Sequence, residues 1–283
     1  MSGCYIRIKD SLKSLAPKEQ KIAEFMLDFP EEAINMSIGE LAETCSTSNA
    51  SVVRLCKSVG YSGFKELCKV LSEELTQQSP IVYEEINPGD SLEAIVKNVS
   101  MSNMKAIEST FSLLDMGMLS KAVDALCAAS RIDFYGVGSS GLVAKDASNK
   151  FLRINKVTLA ISDPHEQILS ATSLKEGDVA VLFSYSGETR DTLETAELVK
   201  GSKATLITVT KFGKSSLSEM ADIRLFTSSS EAMIRSGPMG SRIGQLTMVD
   251  MLYTAVSSRL YEQIKPYLDK TRLVAQRKHA RTK

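Results

Sequence analysis

The chain has 283 residues, 43% hydrophobic and 24% charged, with 34 basic side chains balanced by 34 acidic ones. That length suffices for two domains or one large α/β domain, and the composition excludes disorder over most of the chain. No run of 18 apolar residues offers a membrane span, and residues 1–10 carry Arg7 and Lys9 where a secretory signal would be apolar, so a cytoplasmic protein is expected.

Residues 1–78 read as all-helical. Leu12, Leu15, Ile22, Ala23, Phe25 and Met26 recur at helical spacing, predicting a helix over 11–29 that Pro17 can open and Pro30 stops. Ser37, with Glu40 three residues on, is a capping box that opens a short helix over 38–44. Ser48 caps another over 49–59, closed by Gly60, and a further helix over 63–75 turns Phe64, Leu67, Val70 and Leu71 inward. Residues 79–90, with Ser79-Pro80 and Asn87-Pro88-Gly89-Asp90, read as a linker.

Two helices follow, about 92–111 and 114–129, and then the pattern changes. Short β-rich apolar runs at 132–135, 157–161, 179–183, 205–209 and 223–226 alternate with helical stretches. That alternation predicts a parallel sheet covered on both faces, a three-layer α/β domain over 91–265, closed by a long helix at about 242–263. Residues 266–283 form a basic tail: the last fourteen residues hold six Lys or Arg and no acid, expected as a solvated, frayed helix end. The five cysteines have no C-x-x-C spacing and are expected to be free thiols, with neither a disulfide framework nor a metal site. No cofactor is expected.

Residues 38–59 have helix-turn-helix spacing. Ile38, Leu41 and Ala42 on the first helix face Val52 and Leu55 on the second, across a short turn at 45–47. The second helix would enter the major groove of double-stranded DNA. Asn49, Ser51 and Arg54 are expected to project outward to bases, Lys57 to a phosphate, and the helix start at Ser48 offers backbone N–H groups to a phosphate. The run from Ser48 to Lys65, Ser-Asn-Ala-Ser-Val-Val-Arg-Leu-Cys-Lys-Ser-Val-Gly-Tyr-Ser-Gly-Phe-Lys, resembles the signature of the RpiR-type helix-turn-helix repressors. So does the Leu-x-Pro-x-Glu-x-x-Ile-Ala-x-Phe pattern of Leu15–Phe25. Two positions depart from that signature: Ser51 stands where Thr is usual, and Ser46 where a turn glycine is usual.

In the second half, Gly136-Val-Gly138-Ser139-Ser140-Gly141 follows the first strand and matches G-x-G-x-x-G, so a nicotinamide dinucleotide is an alternative, with Asp163 as the acidic partner. A second loop, Ser184-Tyr185-Ser186-Gly187-Glu188-Thr189, follows the third strand and precedes a helix. Hydroxyls and unpaired N–H groups at such a place surround a monophosphate, and a dinucleotide fold has no use for this second cluster. This half resembles the SIS (sugar isomerase) domain over about 120–263. The resemblance implies that Ser184, Ser186 and Thr189 hold a phosphate, and that Ser139 and Ser140 hold the phosphate or a sugar hydroxyl. It further implies that Glu231 contacts the sugar, and that His165, in Asp163-Pro164-His165, is a ligand or interface residue.

The same domain serves isomerases, lyases and non-catalytic sensors. A fused helix-turn-helix gives a sensor its output and gives an enzyme nothing obvious. The sequence is therefore expected to encode a transcriptional regulator, by resemblance a repressor, whose phosphosugar effector alters operator affinity. An isomerase or lyase with an accessory helical domain is the alternative. A homodimer is expected, with a tetramer left open. Which sugar phosphate is bound is not legible.

Overall fold

The computed structural model describes residues 3–75, 89–228 and 239–280, without the side chains of Lys13 and 271–280. It forms two compact units. One holds the described residues up to Leu113, with Lys211–Ser215, Ser228, Met239 and Gly240. The other holds 114–210, 216–227 and the residues from Ser241 on.

The first unit is helical: α1 (Cys4–Ser11), α2 (Pro17–Asp28), α3 (Pro30–Asn35), α4 (Ile38–Thr44), α5 (Asn49–Ser58), α6 (Phe64–Leu75) and α7 (Leu92–Ser112). The expected helix over 11–29 is in fact broken, because Leu15 and Ala16 are extended (ψ 150° and 151°) ahead of Pro17. A residue before proline is pushed out of the helical region. Pro30 does end α2, but it also opens α3, where a first-turn residue needs no N–H. Nothing local announces α1. Its first N–H groups, on Gly3, Cys4 and Tyr5, donate to the Glu74 carboxylate of α6. The core gathers Ile8, Ile22, Met26, Leu41, Val52, Leu55, Leu67 and Leu71, all buried. Cys4 and Cys56 lie in it as free thiols, each pushed up to about 12 by burial.

The second unit runs α8 (Met116–Ala128), β1 (Ile132–Gly136), α9 (Ser139–Arg153), β2 (Thr158–Ala160), α10 (Pro164–Thr172), β3 (Val179–Phe183), α11 (Arg190–Gly201), β4 (Thr205–Lys211), α12 (Ser216–Met220), β5 (Ile223–Thr227), α13 (Met239–Arg259) and α14 (Tyr261–Ala280). The five strands lie in the order β2-β1-β3-β4-β5, and β1 pairs parallel with both β2 and β3, as β3 does with β4. Strand alternation divides the side chains between two cores. Phe134, Val181, Phe183 and Ile207 meet α8, α9, α13 and the start of α14, whereas Tyr135, Ala180, Leu182 and Leu206 meet α10, α11 and α12. The predicted three layers are present. The expected single helix at 242–263 is two helices that part at Leu260, and α14 continues through the basic segment to Ala280 with Pro266 inside it. Ile264, buried in the first of these cores, anchors its start.

One feature of β1 escaped the hydropathy pattern. Asp133 is fully buried, and Arg131 forks onto both its oxygens at 2.8 and 2.7 Å. Tyr135 and Ser170 each donate to Asp133 Oδ2 at 2.7 Å, which pins α10 to the sheet. Burial and the neighbouring carboxylate push the Tyr135 phenol up; the hydrogen bond to Asp133 does the same for the Arg131 guanidinium.

Candidate functional sites

In the helical unit, α4 and α5 are set by caps at their starts and by the turn between them. Ser37 Oγ accepts the Glu40 N–H at 3.2 Å, and Glu40 accepts the Ser37 N–H at 2.7 Å, which holds the Glu40 carboxyl below its ordinary range. The turn closes when Thr47 donates its N–H to the Ala42 carbonyl at 2.7 Å. Ala42 is buried, as a close crossing of two helices demands. Ser46 adopts the left-handed conformation, φ 52°, that glycine enters without strain. Ser48 Oγ then caps α5 by accepting the Ser51 N–H at 3.3 Å.

α5 turns Val52, Leu55 and Cys56 into the core and leaves Asn49, Arg54 and Lys57 exposed, as expected for a surface that reads DNA. Ser51 is a correction. It is fully buried, one helical turn before Leu55 on the same face, so it cannot reach a base. Its hydroxyl lies 3.1 Å from Ser48 Oγ and accepts from Arg54 Nη2 at 2.9 Å. Arg54 also donates Nε to Glu19 on α2 at 3.1 Å. Ser51 and Glu19 thus aim the arginine. Ala50, exposed, and Val53, half-buried, complete the outward face; the sequence reading passed over them because small apolar residues carry no donor or charge.

In the α/β unit the strand order reverses between β1 and β3, where open parallel sheets bind ligands beyond their carboxyl ends. Gly136 and Phe183, the last residues of those two strands, are register partners, so the following loops leave the sheet side by side. The first loop is the joint between β1 and α9. A Cβ on Gly136 would lie 2.8 Å from the Ser140 backbone, and one on Gly141 3.0 Å from the Gly136 oxygen. Gly138 takes φ 60° and, having no side chain, leaves the first N–H groups of α9 without a side-chain cap. Ser139 starts that helix half-buried, and Ser140 is buried with its hydroxyl donated to Gln245 of α13 at 3.2 Å.

The second loop brings Ser184 and Thr189 together, their hydroxyl oxygens 3.2 Å apart. Ser184 Oγ also accepts the Gly187 N–H at 3.2 Å, and Ser186 Oγ accepts that of Glu188 at 3.2 Å. Thr189 stands at the cap position of α11 yet makes no side-chain bond to the helix. The single negative charge in the loop is turned aside, since the Glu188 carboxylate accepts both the N–H and the hydroxyl of Ser216 at 2.8 Å. The result is a cluster of hydroxyls beside the uncapped start of α11, a combination suited to an anion. Asp163, required by a dinucleotide reading, instead caps α10 by accepting the His165 and Glu166 N–H groups at 2.9 and 3.1 Å.

Comparison with known proteins bears on both units. A helix-turn-helix domain of the rpiR family matches residues 3–78, and a SIS domain matches residues 125–255. An uncharacterized HTH-type transcriptional regulator of Caldanaerobacter subterraneus subsp. tengcongensis is 42% identical over 93% of this chain and 94% of its own length. The chain belongs to the rpiR family of transcriptional regulators. The HTH-type regulator HexR of Pseudomonas aeruginosa is 34% identical over 95% of this chain and 94% of its own. Among solved structures, Vibrio vulnificus NanR complexed with ManNAc-6P superposes with TM-score 0.61 and 25% identity, covering 96% of this chain and 97% of that one.

In this rpiR-family regulator the remaining site residues divide plainly. His165 is exposed on the first turn of α10, just past β2. Glu231 lies outside the described residues. Two amides went unnoticed in the sequence. Gln167 reaches from α10 to donate Nε2 to the carbonyls of Gly136 at 2.9 Å and Ile161 at 2.8 Å, clasping the ends of β1 and β2. Gln245 was legible as a polar residue within the apolar stripe of α13, beside Met248, Val249 and Leu252. No helix among the described residues is long and apolar enough to cross a membrane.

Proposed function

We propose that this regulator is a repressor released from its operator by a sugar phosphate held between the two loops of the α/β unit. The observation that carries the reading is the pair of helix starts at the β1/β3 reversal whose first N–H groups have no side-chain cap, one beside Ser139 and Ser140 and the other beside Ser184, Ser186 and Thr189. The phosphate lies on the second, where hydroxyls and the positive end of α11 meet it. The sugar extends to Ser139 and Ser140, with His165 at its edge. NanR, bound to ManNAc-6P, supports this class of ligand.

The reading is of a sensor that does not turn its ligand over. Sugar isomerisation needs a base poised over adjacent carbons. Among the described residues, the carboxylates adjoining the loops, Asp163 and Glu188, accept hydrogen bonds from helix starts instead. Two copies of the chain place two α5 helices on half-sites one DNA turn or a multiple apart. Ligand and DNA then favour different states with a coupling of ~1–3 kcal/mol.

Fluorescence anisotropy on DNA from upstream of the gene, at fixed salt, tests this with a panel of hexose and amino-sugar phosphates. Specific binding released by one sugar phosphate is expected, and Arg54→Ala should weaken operator binding by ~1–3 kcal/mol while leaving calorimetric affinity for that sugar phosphate unchanged. Operator affinity indifferent to the whole panel, or turnover of any member, overturns it.

A further inference from the structure

Gln245 sits in the buried stripe of α13 with Ser241, Met248, Val249, Leu252 and Val256, and is 1% exposed. Its Oε1 accepts the Ser140 hydroxyl at 3.2 Å, and its Nε2 has no partner. A hydroxyl both donates and accepts, so turning the amide over preserves the contact with Ser140 and leaves Oε1 unpartnered instead. Either way, half of a buried amide is unsatisfied at the first turn of α9, where buried polar groups are as a rule paired. Gln167, on the same β1 joint, also leaves its Oε1 without a partner, but its Nε2 is held by two backbone carbonyls, those of Gly136 and Ile161, as a clamp. Gln245 differs in that, among the described residues, the only bond of its amide is to a side-chain hydroxyl, that of Ser140, and none is to the backbone.

We propose that Gln245 is a ligand-reading residue, whose free amide atom takes a hydroxyl of the bound sugar beside Ser140. The assignment rests on the phosphosugar reading above and adds to it the residue that distinguishes one sugar from another. A neutral amide suits a neutral hydroxyl, which matches whichever atom faces it, while the charged end of the ligand stays with Ser184, Ser186 and Thr189. Because Gln245 belongs to α13, the same bond ties the first turn of α9 to the helix that covers the sheet. Occupancy is therefore felt along α13 as well as in the loops.

Gln245→Leu, and Gln245→Met as a variant of closer shape, test this by calorimetry against inorganic phosphate and the panel of hexose and amino-sugar phosphates. Both variants should bind the preferred sugar phosphate ~10–100-fold more weakly and inorganic phosphate as the parent does. The ligand-free melting temperature should change little, since the variants remove the unsatisfied amide atom but also the acceptor of the Ser140 hydroxyl. An amide that merely supports the fold gives the opposite pattern: a lower melting temperature and parallel losses for both ligands. That pattern, or sugar-phosphate affinity unchanged in both variants, overturns the assignment while the phosphosugar reading stands. A parent protein that binds no member of the panel overturns both.

Discussion

Ser48 and Thr189 hold the same kind of place, a hydroxyl residue directly before a helix, one in each unit. Ser48 turns its oxygen onto its own helix and accepts the Ser51 N–H, as Ser37 does for Glu40. Thr189 leaves its helix uncapped and turns to Ser184. In the helical unit the starts of α4 and α5 carry side-chain caps, and the DNA contacts proposed here are the exposed side chains of Asn49, Arg54 and Lys57. In the α/β unit the starts of α9 and α11 carry no side-chain cap, and these uncapped ends with the hydroxyls beside them form the phosphosugar site proposed here. On this proposal, a serine or threonine before a helix marks a ligand when it leaves the helix uncapped.

Five substitutions, in four tests, would break or sharpen that contrast. The largest effect is expected from Gly136→Ala, whose Cβ meets the Ser140 backbone at 2.8 Å. It should cost the α/β unit roughly 2–3 kcal/mol of stability in urea denaturation, as overpacking does; an unchanged midpoint would show that the joint can open. Next, Ser184→Ala or Thr189→Ala should each weaken sugar-phosphate binding by ~1.5–3 kcal/mol through a lost hydrogen bond to a charged group. Equal calorimetric affinity in both variants removes the phosphate from this loop. The third is the direct test of the contrast. Ser48→Ala should cost about 1 kcal/mol of unfolding free energy as a lost cap, whereas Thr189→Ala should stay within about 0.5 kcal/mol. Similar losses at the two positions would erase the distinction between closed and open helix starts. The smallest effect is a gain: Ser46→Gly should stabilise by about 0.5–1 kcal/mol, since the turn already holds a left-handed φ of 52°. A lower melting temperature would mean that the Ser46 side chain contributes something its backbone conformation does not reveal.

The helix-turn-helix was legible almost to the residue, because capping boxes and apolar spacing are local signals; α4 came out at Ile38–Thr44 as read. The alternation of strands and helices in the second half was equally plain. What stayed hidden depends on partners far along the chain. Glu74 caps α1 from some 70 residues away. Arg131 neutralises Asp133 inside a strand that hydropathy marks only as apolar. Ser51 was placed outward because its chemistry suits a base, although its position one turn before Leu55 already put it inside. Gln167 on α10 and Gln245 on α13 were missed because glutamine has no motif of its own, and its meaning comes from what lies opposite.

The glycine joint between β1 and α9 has a consequence for how such chains are sorted. Gly136 and Gly141 are demanded by how closely a strand end can be joined to a helix start, and Gly138 by a left-handed turn of the chain. None of the three letters names a guest. A pattern search keyed to G-x-G-x-x-G therefore retrieves a piece of masonry that cofactor enzymes and phosphate sensors share, and files the sensors among dehydrogenases. The hydroxyls of the neighbouring loop, forty-odd positions on, are the part of the text that tells the two apart.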